Sequence, residues 1–342
     1  MAKNPVGFQV TNTTAGWSGA DFDDLFIRKD CFLEGGLWVW GSNGIGELGT
    51  NNAISSSSPV QTVSGGTNWK EIHVAGNSAI GIKTDGTLWL WGSNTSGTLG
   101  DNTIITRSSP VQTISAGTNW KTATIGDLQG AGIKTDGTLW IWGSNTGGTL
   151  GDNTVINKSS PVQTILGGNN WKSVSISVRA SASIKTDGTL WVWGCNIDGL
   201  IGDNTVALRS TPVQTFSGGT NWKQVSMSAS SVAAIKTDGT LWTWGRNHYG
   251  QLGDQTVINR STPVQTFSGG TNWRQASSAL AKSAAIKTDG TLWLWGYNFI
   301  GQLGINSRVH RSSPVQTVTG GTGWASVQHS SIFTAAIRED CW

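Results

Sequence analysis

The sequence is poor in charged side chains, cysteine and long apolar runs. Charged residues are 13% of 342 and the net charge is +3, too small for the strong field that nucleic-acid binding requires. The three cysteines, Cys31, Cys195 and Cys341, have no metal-binding spacing. No apolar run is long enough to span a membrane, and the N-terminus lacks the apolar core of a signal peptide. We therefore expect no nucleic-acid partner, no membrane insertion and no secretory signal.

Glycine and tryptophan are abundant instead, with 47 and 20 residues, and they recur with a fixed period. The tetrapeptide Trp-x-Trp-Gly begins at six positions, each 51 residues after the last: Trp38, Trp89, Trp140, Trp191, Trp242 and Trp293. The proline of Pro-Val-Gln-Thr keeps the same step from Pro59 to Pro314. Six copies without an insertion predict one repeat domain over residues 1–342.

Each copy contains four short strands and no helical period. In the second copy the strands are predicted over residues 69–74, 78–84, 87–92 and 110–113. Asp85-Gly86 is typical of a two-residue type I′ hairpin turn, and Pro110 places the fourth strand at a sheet edge.

Both faces of the third strand are apolar. Trp89 and Trp91 project from one face, and Leu88 and Leu90 from the other. Both faces must therefore be covered, as in four-stranded sheets packed face to face around an axis, which is the arrangement of a β-propeller.

The repeat Ile-Lys-Thr-Asp-Gly-Thr-Leu-Trp-x-Trp-Gly-x-Asn-x-x-Gly-x-Leu-Gly resembles that of the regulator of chromosome condensation family. The resemblance implies an all-β fold, a seven-bladed β-propeller of four-stranded antiparallel blades. The Ile-Lys strand occurs at Ile82, Ile133, Ile184, Ile235 and Ile286, with degenerate copies at Ile27 and Ile337. Because the chain ends where a seventh Trp-x-Trp-Gly is due, we expect Pro5-Val6 to complete the last blade. The ring would then be closed by pairing of the N- and C-terminal segments.

Motifs for catalysis or cofactor binding have weak support. The Gly-x-Gly-x-x-Gly at residues 44–49 opens a loop rather than a helix, so nucleotide binding is not expected. The four histidines form no metal pair, and no serine has a nucleophile-elbow context. We predict no cofactor, no metal site, no catalytic residue and no enzymatic activity.

Two sets of charges are periodic. Asp101, Asp152, Asp203 and Asp254 lie in Gly-Asp-(Asn/Gln)-Thr loops, where bracing of the turn is favoured over calcium binding. The slot three before the fourth-strand proline holds Arg107, Lys158, Arg209, Arg260 and Arg311. These cations form either a ring for phosphate or anionic glycan or, as we favour, pairs with loop carboxylates.

Positions that differ between copies are the candidates for recognition. One variable window holds Ser78, Gln129, Ala180, Ser231, Lys282 and Phe333. The family often has histidine there, and its absence argues against a nuclear role. The second window follows Trp-x-Trp-Gly and is richest in interface-type side chains in the last two copies: Arg246, His248, Tyr249, Tyr297, Phe299 and Ile300. We predict that these six bind a partner, with the acidic loop of Asp21, Asp23 and Asp24 as a docking site.

These features favour a non-enzymatic structural or binding propeller that presents variable loops to a protein or glycan partner. The polar surface and regular repeats are similar in style to bacteriophage virion appendages, which predicts a virion or other extracellular particle, with virion subunits or a host receptor as partners. The alternatives are a regulator of a small GTPase that binds chromatin, and a protein inhibitor of a bacterial enzyme. We expect no Cys31–Cys341 disulfide, because equivalent turns of adjacent blades lie too far apart.

Overall fold

The computed structural model describes residues 36–63, 66, 68–115, 117–329 and 334–339, and every regular element within them is a β-strand. The strands are β1 (Trp38–Gly41), β2 (Ser56–Gln61), β3 (Trp69–Ala75), β4 (Ser78–Lys83), β5 (Leu88–Gly92), β6 (Arg107–Gln112), β7 (Trp120–Ile125), β8 (Gln129–Lys134), β9 (Leu139–Gly143), β10 (Lys158–Gln163), β11 (Trp171–Ile176), β12 (Ala180–Lys185), β13 (Leu190–Gly194), β14 (Arg209–Gln214), β15 (Trp222–Met227), β16 (Ser231–Lys236), β17 (Leu241–Gly245), β18 (Arg260–Gln265), β19 (Trp273–Ser278), β20 (Lys282–Lys287), β21 (Leu292–Gly296), β22 (Arg311–Gln316), β23 (Trp324–His329) and β24 (Thr334–Arg338).

The strands form the blades of a seven-bladed propeller. Five sheets, from β3–β6 to β19–β22, have four antiparallel strands in chain order, while β1–β2 and β23–β24 belong to the two terminal blades. The first strands of successive blades contact one another, from β3 and β7 to β19 and β23, so they lie innermost. The all-β seven-bladed architecture is confirmed. The predicted strand at residues 5–9, Cys31 and Cys341 lie outside the described residues.

Two local predictions were wrong. The β4–β5 hairpin loop has three residues rather than two, because Lys83 N donates to Thr87 O and only Gly86 has a positive φ. Asp85 stays out of the left-handed region while its Oδ1 accepts the backbone N–H of Thr87 at 2.9 Å. The fourth strand begins at Arg107 instead of Pro110, since Arg107 pairs with Gly92 across an irregular register. Its position at the sheet edge is as predicted.

The core lies between blades, as the two apolar faces of the third strand require. Ile82, Leu88 and Leu90 of one blade pack with Trp120 and Trp142 of the next blade in a single buried cluster. Burial of this surface at about 25 cal/mol per Å2 is the main force that holds neighbouring blades together.

The loop that follows each third strand is held by one buried asparagine. In the fifth copy, Asn247 donates through Nδ2 to Asp254, Thr256 and Ile258, and its Oδ1 accepts the N–H of Leu252 at 2.9 Å. The same residue is fully buried in each of the six copies: Asn43, Asn94, Asn145, Asn196, Asn247 and Asn298. The loops are thereby fixed in one shape, and residues between the asparagine and the next strand are presented on it.

Each of the first five loops also lies against the following blade. Gln255 N donates to Ser312 O at 2.7 Å. A Cβ at Gly250 would stand 2.5 Å from the Cα of Ser312, so only glycine permits this approach. The fifth loop is consequently pressed onto the start of β22 in the sixth copy.

Candidate recognition face

The long loops after the third strands and the hairpins between the first two strands emerge on the same face of the ring. Backbone hydrogen bonds join them: Arg246 N donates to Ser230 O, and Tyr297 N donates to Ala281 O, both at 2.8 Å. The second variable window lies on this face of the ring, which is called the loop face below.

The periodic charges are largely satisfied within their own loops. Arg107 contacts Asp101 at 2.8 Å, Arg209 contacts Asp203 at 2.6 Å and Arg260 contacts Asp254 at 2.8 Å. Lys158 lies 3.7 Å from Asp152. Burial raises the pKa of Asp101, but hydrogen bonds from Thr103, Arg107 and Asn94 outweigh it and hold that pKa below its usual value. The predicted local pairing and turn bracing are confirmed for these four copies.

Arg311 departs from that pattern. The position equivalent to the paired aspartate is Ile305, and Arg311 is exposed with no ion pair among the described residues. In the first copy both partners are missing, because Thr50 and Ser56 occupy the two positions. Only the sixth copy keeps the cation without its carboxylate.

The side chains of the first variable window are buried at each position that the structure describes. Ser78, Gln129, Ala180, Ser231 and Lys282 are at most 4% exposed. Each begins the second strand of its blade and faces packed neighbours, so the variation there tunes interior packing. Lys282 is the extreme case: its Nζ donates to Thr334 Oγ1 at 2.9 Å, and burial lowers its pKa to about 7.

The second window brings three rings together across two loops. Tyr249 of the fifth loop lies edge-on to Tyr297 of the sixth, with centroids 4.9 Å apart. His310 contacts both rings, at 5.3 Å from Tyr249 and 4.9 Å from Tyr297. Its Nδ1 accepts the backbone N–H of Asn298, which fixes the ring and directs Nε2 away from that bond. The result is a small aromatic platform at the boundary between the fifth and sixth copies.

The other predicted residues surround this platform without forming one contact cluster. Arg246 donates to His248 Nδ1 at 3.2 Å, and this pair stands on the fifth loop. Phe299 and Ile300 follow Tyr297 on the sixth loop and are 65% and 57% exposed. All six predicted positions thus belong to two adjacent loops, and the platform joins Tyr249 with Tyr297.

Two residues of this region, His310 and Arg308, are not among the six binding residues predicted from the sequence. His310 takes the position of Asn259, whose Oδ1 accepts the equivalent backbone N–H. Arg308 takes the position of Val257 and is exposed. A position-by-position comparison of the whole loop, rather than of its first turn, is the signal that identifies both. The predicted docking residues Asp21, Asp23 and Asp24 lie outside the described residues.

The described residues do not meet the requirements of a metal site or a helical membrane span. Within the described ranges no three His, Cys, Asp or Glu side chains approach closely enough to hold a metal ion. No helix there has the length and apolarity needed to cross a membrane. Cys195 is a free thiol beside the fourth loop.

Asp127 is an unusual buried carboxylate at the hairpin between β7 and β8. Neither of its oxygens has a hydrogen-bond partner, and Oδ1 occupies the space that a Cβ would need at Gly76 of the preceding blade. Burial raises the pKa of Asp127 from 3.8 to about 6. The protonated form therefore stabilises the fold, and this stabilisation is present below about pH 4 and lost as the pH rises through about 6.

Asp127→Asn is expected to raise the melting temperature at pH 8 and to leave it nearly unchanged at pH 4. The pKa change corresponds to at most about 3 kcal/mol, which is roughly 5 °C for a chain of this size. The control is Asp136→Asn. The side-chain hydrogen bond from Thr138 lowers the pKa of Asp136, so this variant should lose stability at pH 8. Equal effects of Asp127→Asn at the two pH values would contradict the burial argument.

The fold and its loop face define a repeat β-propeller in which one sector of the rim differs from the rest. The RCC1-like domain model matches residues 34–341, and the chain belongs to this family, which confirms the resemblance. The chain is 26% identical over 337 residues to the ultraviolet-B receptor UVR8 of Arabidopsis thaliana, covering 94% of this chain and 73% of that protein. It is 35% identical over 88 residues to the X-linked retinitis pigmentosa GTPase regulator homolog of Caenorhabditis elegans, covering 25% of this chain and 6% of that protein.

A solved structure has the same fold at lower identity. Yeast RCC1 (Prp20), crystallised with Kap60 bound, superposes with a TM-score of 0.75 at 16% identity. The match covers 90% of this chain and 77% of that chain.

Proposed function

We propose that this protein is a non-enzymatic binding propeller that recognises a protein partner through the loop face of its fifth and sixth copies. The observation that carries the proposal is the Tyr249–Tyr297–His310 platform. In the first four copies none of these three positions holds an aromatic side chain. Tyrosine and arginine are typical of residues that dominate binding energy at interfaces, whereas the repeated scaffold offers a partner no unique sector.

Exposed apolar side chains alone do not mark the site. Ile54, Ile105 and Ile156 are also exposed, one in each of the first three loops. The sixth loop differs because its apolar groups, Phe299 and Ile300, share the loop with Tyr297, His310 and Arg308. A patch that combines these groups is the usual composition of an interface core.

The relatives support protein binding in general terms. One neighbour in fold is a complex with another protein, and one relative is by name a GTPase regulator homolog. Regulation of a small GTPase is accordingly the second candidate function. The narrower expectation of a virion appendage rests on composition and stays a prediction, without support from the proteins compared above.

Tyr249→Ala with Phe299→Ala tests the proposal. We expect the folded ring to persist and partner binding to weaken by tenfold or more, because each truncated anchor typically costs about 1–3 kcal/mol. The measurement is quantitative mass spectrometry of proteins retained from a lysate of the source organism by immobilised wild type and variant.

The matched control is Ile105→Ala with Ile156→Ala, two side chains 59% and 64% exposed on the second and third loops. Proteins that bind the proposed site should be lost from the first variant and retained by the control. Equal retention by the wild type and the first variant would place recognition elsewhere on the ring.

A further inference from the structure

We infer that the partner segment on this face is an acidic peptide that carries a bulky apolar side chain, an inference that rests on the proposed function. The chemical class follows from arginines of this face that form no ion pair within the described part of the chain. The loop of the sixth copy, residues 297–310, contains no aspartate or glutamate, whereas each loop from the second to the fifth copy contains at least one.

Three such arginines lie in the two copies that form the platform. Arg308 and Arg311 flank His310 in the chain and are exposed. Arg246 stands on the fifth loop, where its described contact is with His248 rather than with a carboxylate. Asp254, the one carboxylate of that loop, is already bound by Arg260 at 2.8 Å. Three guanidinium groups are consequently available to a partner, and guanidinium groups favour bidentate contacts with carboxylates.

The two loops hold these cations close to the rings. Gly250 is packed against Ser312, so the backbone segment that carries Tyr249 lies against the one that carries Arg311. At physiological ionic strength the Debye length is about 8 Å, so only a partner seated on the rings experiences the unscreened charges. Phe299, Ile300 and the 63%-exposed Val309 supply the apolar surface that a purely electrostatic site lacks.

The repeat itself provides a variant that supplies the missing counterion. Ile305→Asp restores the aspartate found in the second to fifth copies. In the fifth copy that aspartate accepts hydrogen bonds from the Thr256 N–H and hydroxyl, and Ser307 offers the same groups in the sixth. The new carboxylate would be held beside Arg311, as Asp254 is held beside Arg260. Because Ile305 packs on the core, Arg311→Gln serves as a second variant that leaves the core intact.

The experiment selects a phage-displayed library of random 12-residue peptides on the immobilised wild-type protein. We expect the enriched peptides to be rich in aspartate and glutamate around an aromatic or leucine side chain. A fluorescein-labelled copy of the most enriched peptide is then measured by fluorescence anisotropy. Ile305→Asp and Arg311→Gln should each weaken its binding about threefold to tenfold, and 0.5 M NaCl should weaken the wild type similarly.

Arg209→Gln, which alters a paired cation on the fourth copy, is the control and should bind as the wild type does. Neutral or basic enriched peptides that still require Tyr249 and Phe299 would overturn the inference and leave the proposed function standing. Acidic peptides that bind Arg311→Gln and Ile305→Asp unchanged would also overturn it. Acidic peptides that need Arg311 but tolerate Tyr249→Ala with Phe299→Ala would support the charge assignment and overturn the proposed site. Equal binding of single-stranded oligothymidylate would show a general polyanion site instead, and so overturn a peptide ligand.

Discussion

Trp193→Ala should lower the free energy of unfolding by about 3–5 kcal/mol and the melting temperature by roughly 5–8 °C. Trp193 is fully buried between blades, with its ring edge-on to Trp171 at 6.4 Å. Its indole N–H donates to Thr149 O of the preceding loop at 2.8 Å. Truncation therefore creates a cavity at a blade interface and removes one of the two hydrogen bonds to Thr149 O, which keeps the Ser181 hydroxyl as a donor. Thermal and guanidinium unfolding, followed by tryptophan fluorescence and circular dichroism, measure the loss.

The matched control lies two residues earlier on the same strand. Trp191 is only half-buried, and its N–H donates to Thr189 Oγ1 within its own hairpin. Lys185 Nζ lies 5.0 Å from its ring, a cation–π contact worth about 0.5–1 kcal/mol at such a site. Trp191→Ala should accordingly cost about 1–2 kcal/mol. Similar losses for the two variants would show that the second tryptophan of Trp-x-Trp is not the one that holds adjacent blades together.

The two tryptophans also show why so much of the fold was predictable. A spacing of two residues places both side chains on one face of a strand, and a period of 51 repeats that face around the ring. The blade count followed from the same period. The length of the β4–β5 hairpin loop was harder to predict because a single side chain determines it. The Asp85 carboxylate accepts the Thr87 N–H and favours a three-residue loop, where the Asp-Gly pair alone suggested two.

The candidate site was predictable only in part for a related reason. Comparison of copies identified Tyr249 and Tyr297, since both lie at positions just after Trp-x-Trp-Gly that vary between copies. The contact of these rings with His310 depends on how one loop is pressed onto the next blade, which periodicity does not encode. The unpaired state of Arg311 was likewise hidden, because the cation keeps its place in the repeat and only its partner changes to Ile305.

The buried asparagine of each loop links scaffold to recognition. Asn247→Ala removes a side chain that donates to Asp254 at 3.0 Å and to Ile258 O at 3.1 Å, and that accepts from Leu252 N. Asn94 makes the equivalent contacts in the second copy, to Asp101 at 3.0 Å and Ile105 O at 3.1 Å. Each substitution leaves buried backbone groups unpaired, so both should lower the free energy of unfolding by about 2–4 kcal/mol.

Their effects on binding should differ although their effects on stability match. The Asn247 loop carries Tyr249 and lies beside Arg311, whereas the Asn94 loop carries Ser96 at the equivalent position. We expect Asn247→Ala to weaken binding of the selected peptide by tenfold or more at a temperature where both variants remain folded. Asn94→Ala should retain wild-type affinity, because the rigid blades between the second and fifth copies isolate its loop from the platform. Loss of affinity in both variants would mean that binding depends on the stability of the whole ring, and retention in both would mean that the fifth loop needs no fixed shape to recognise its partner.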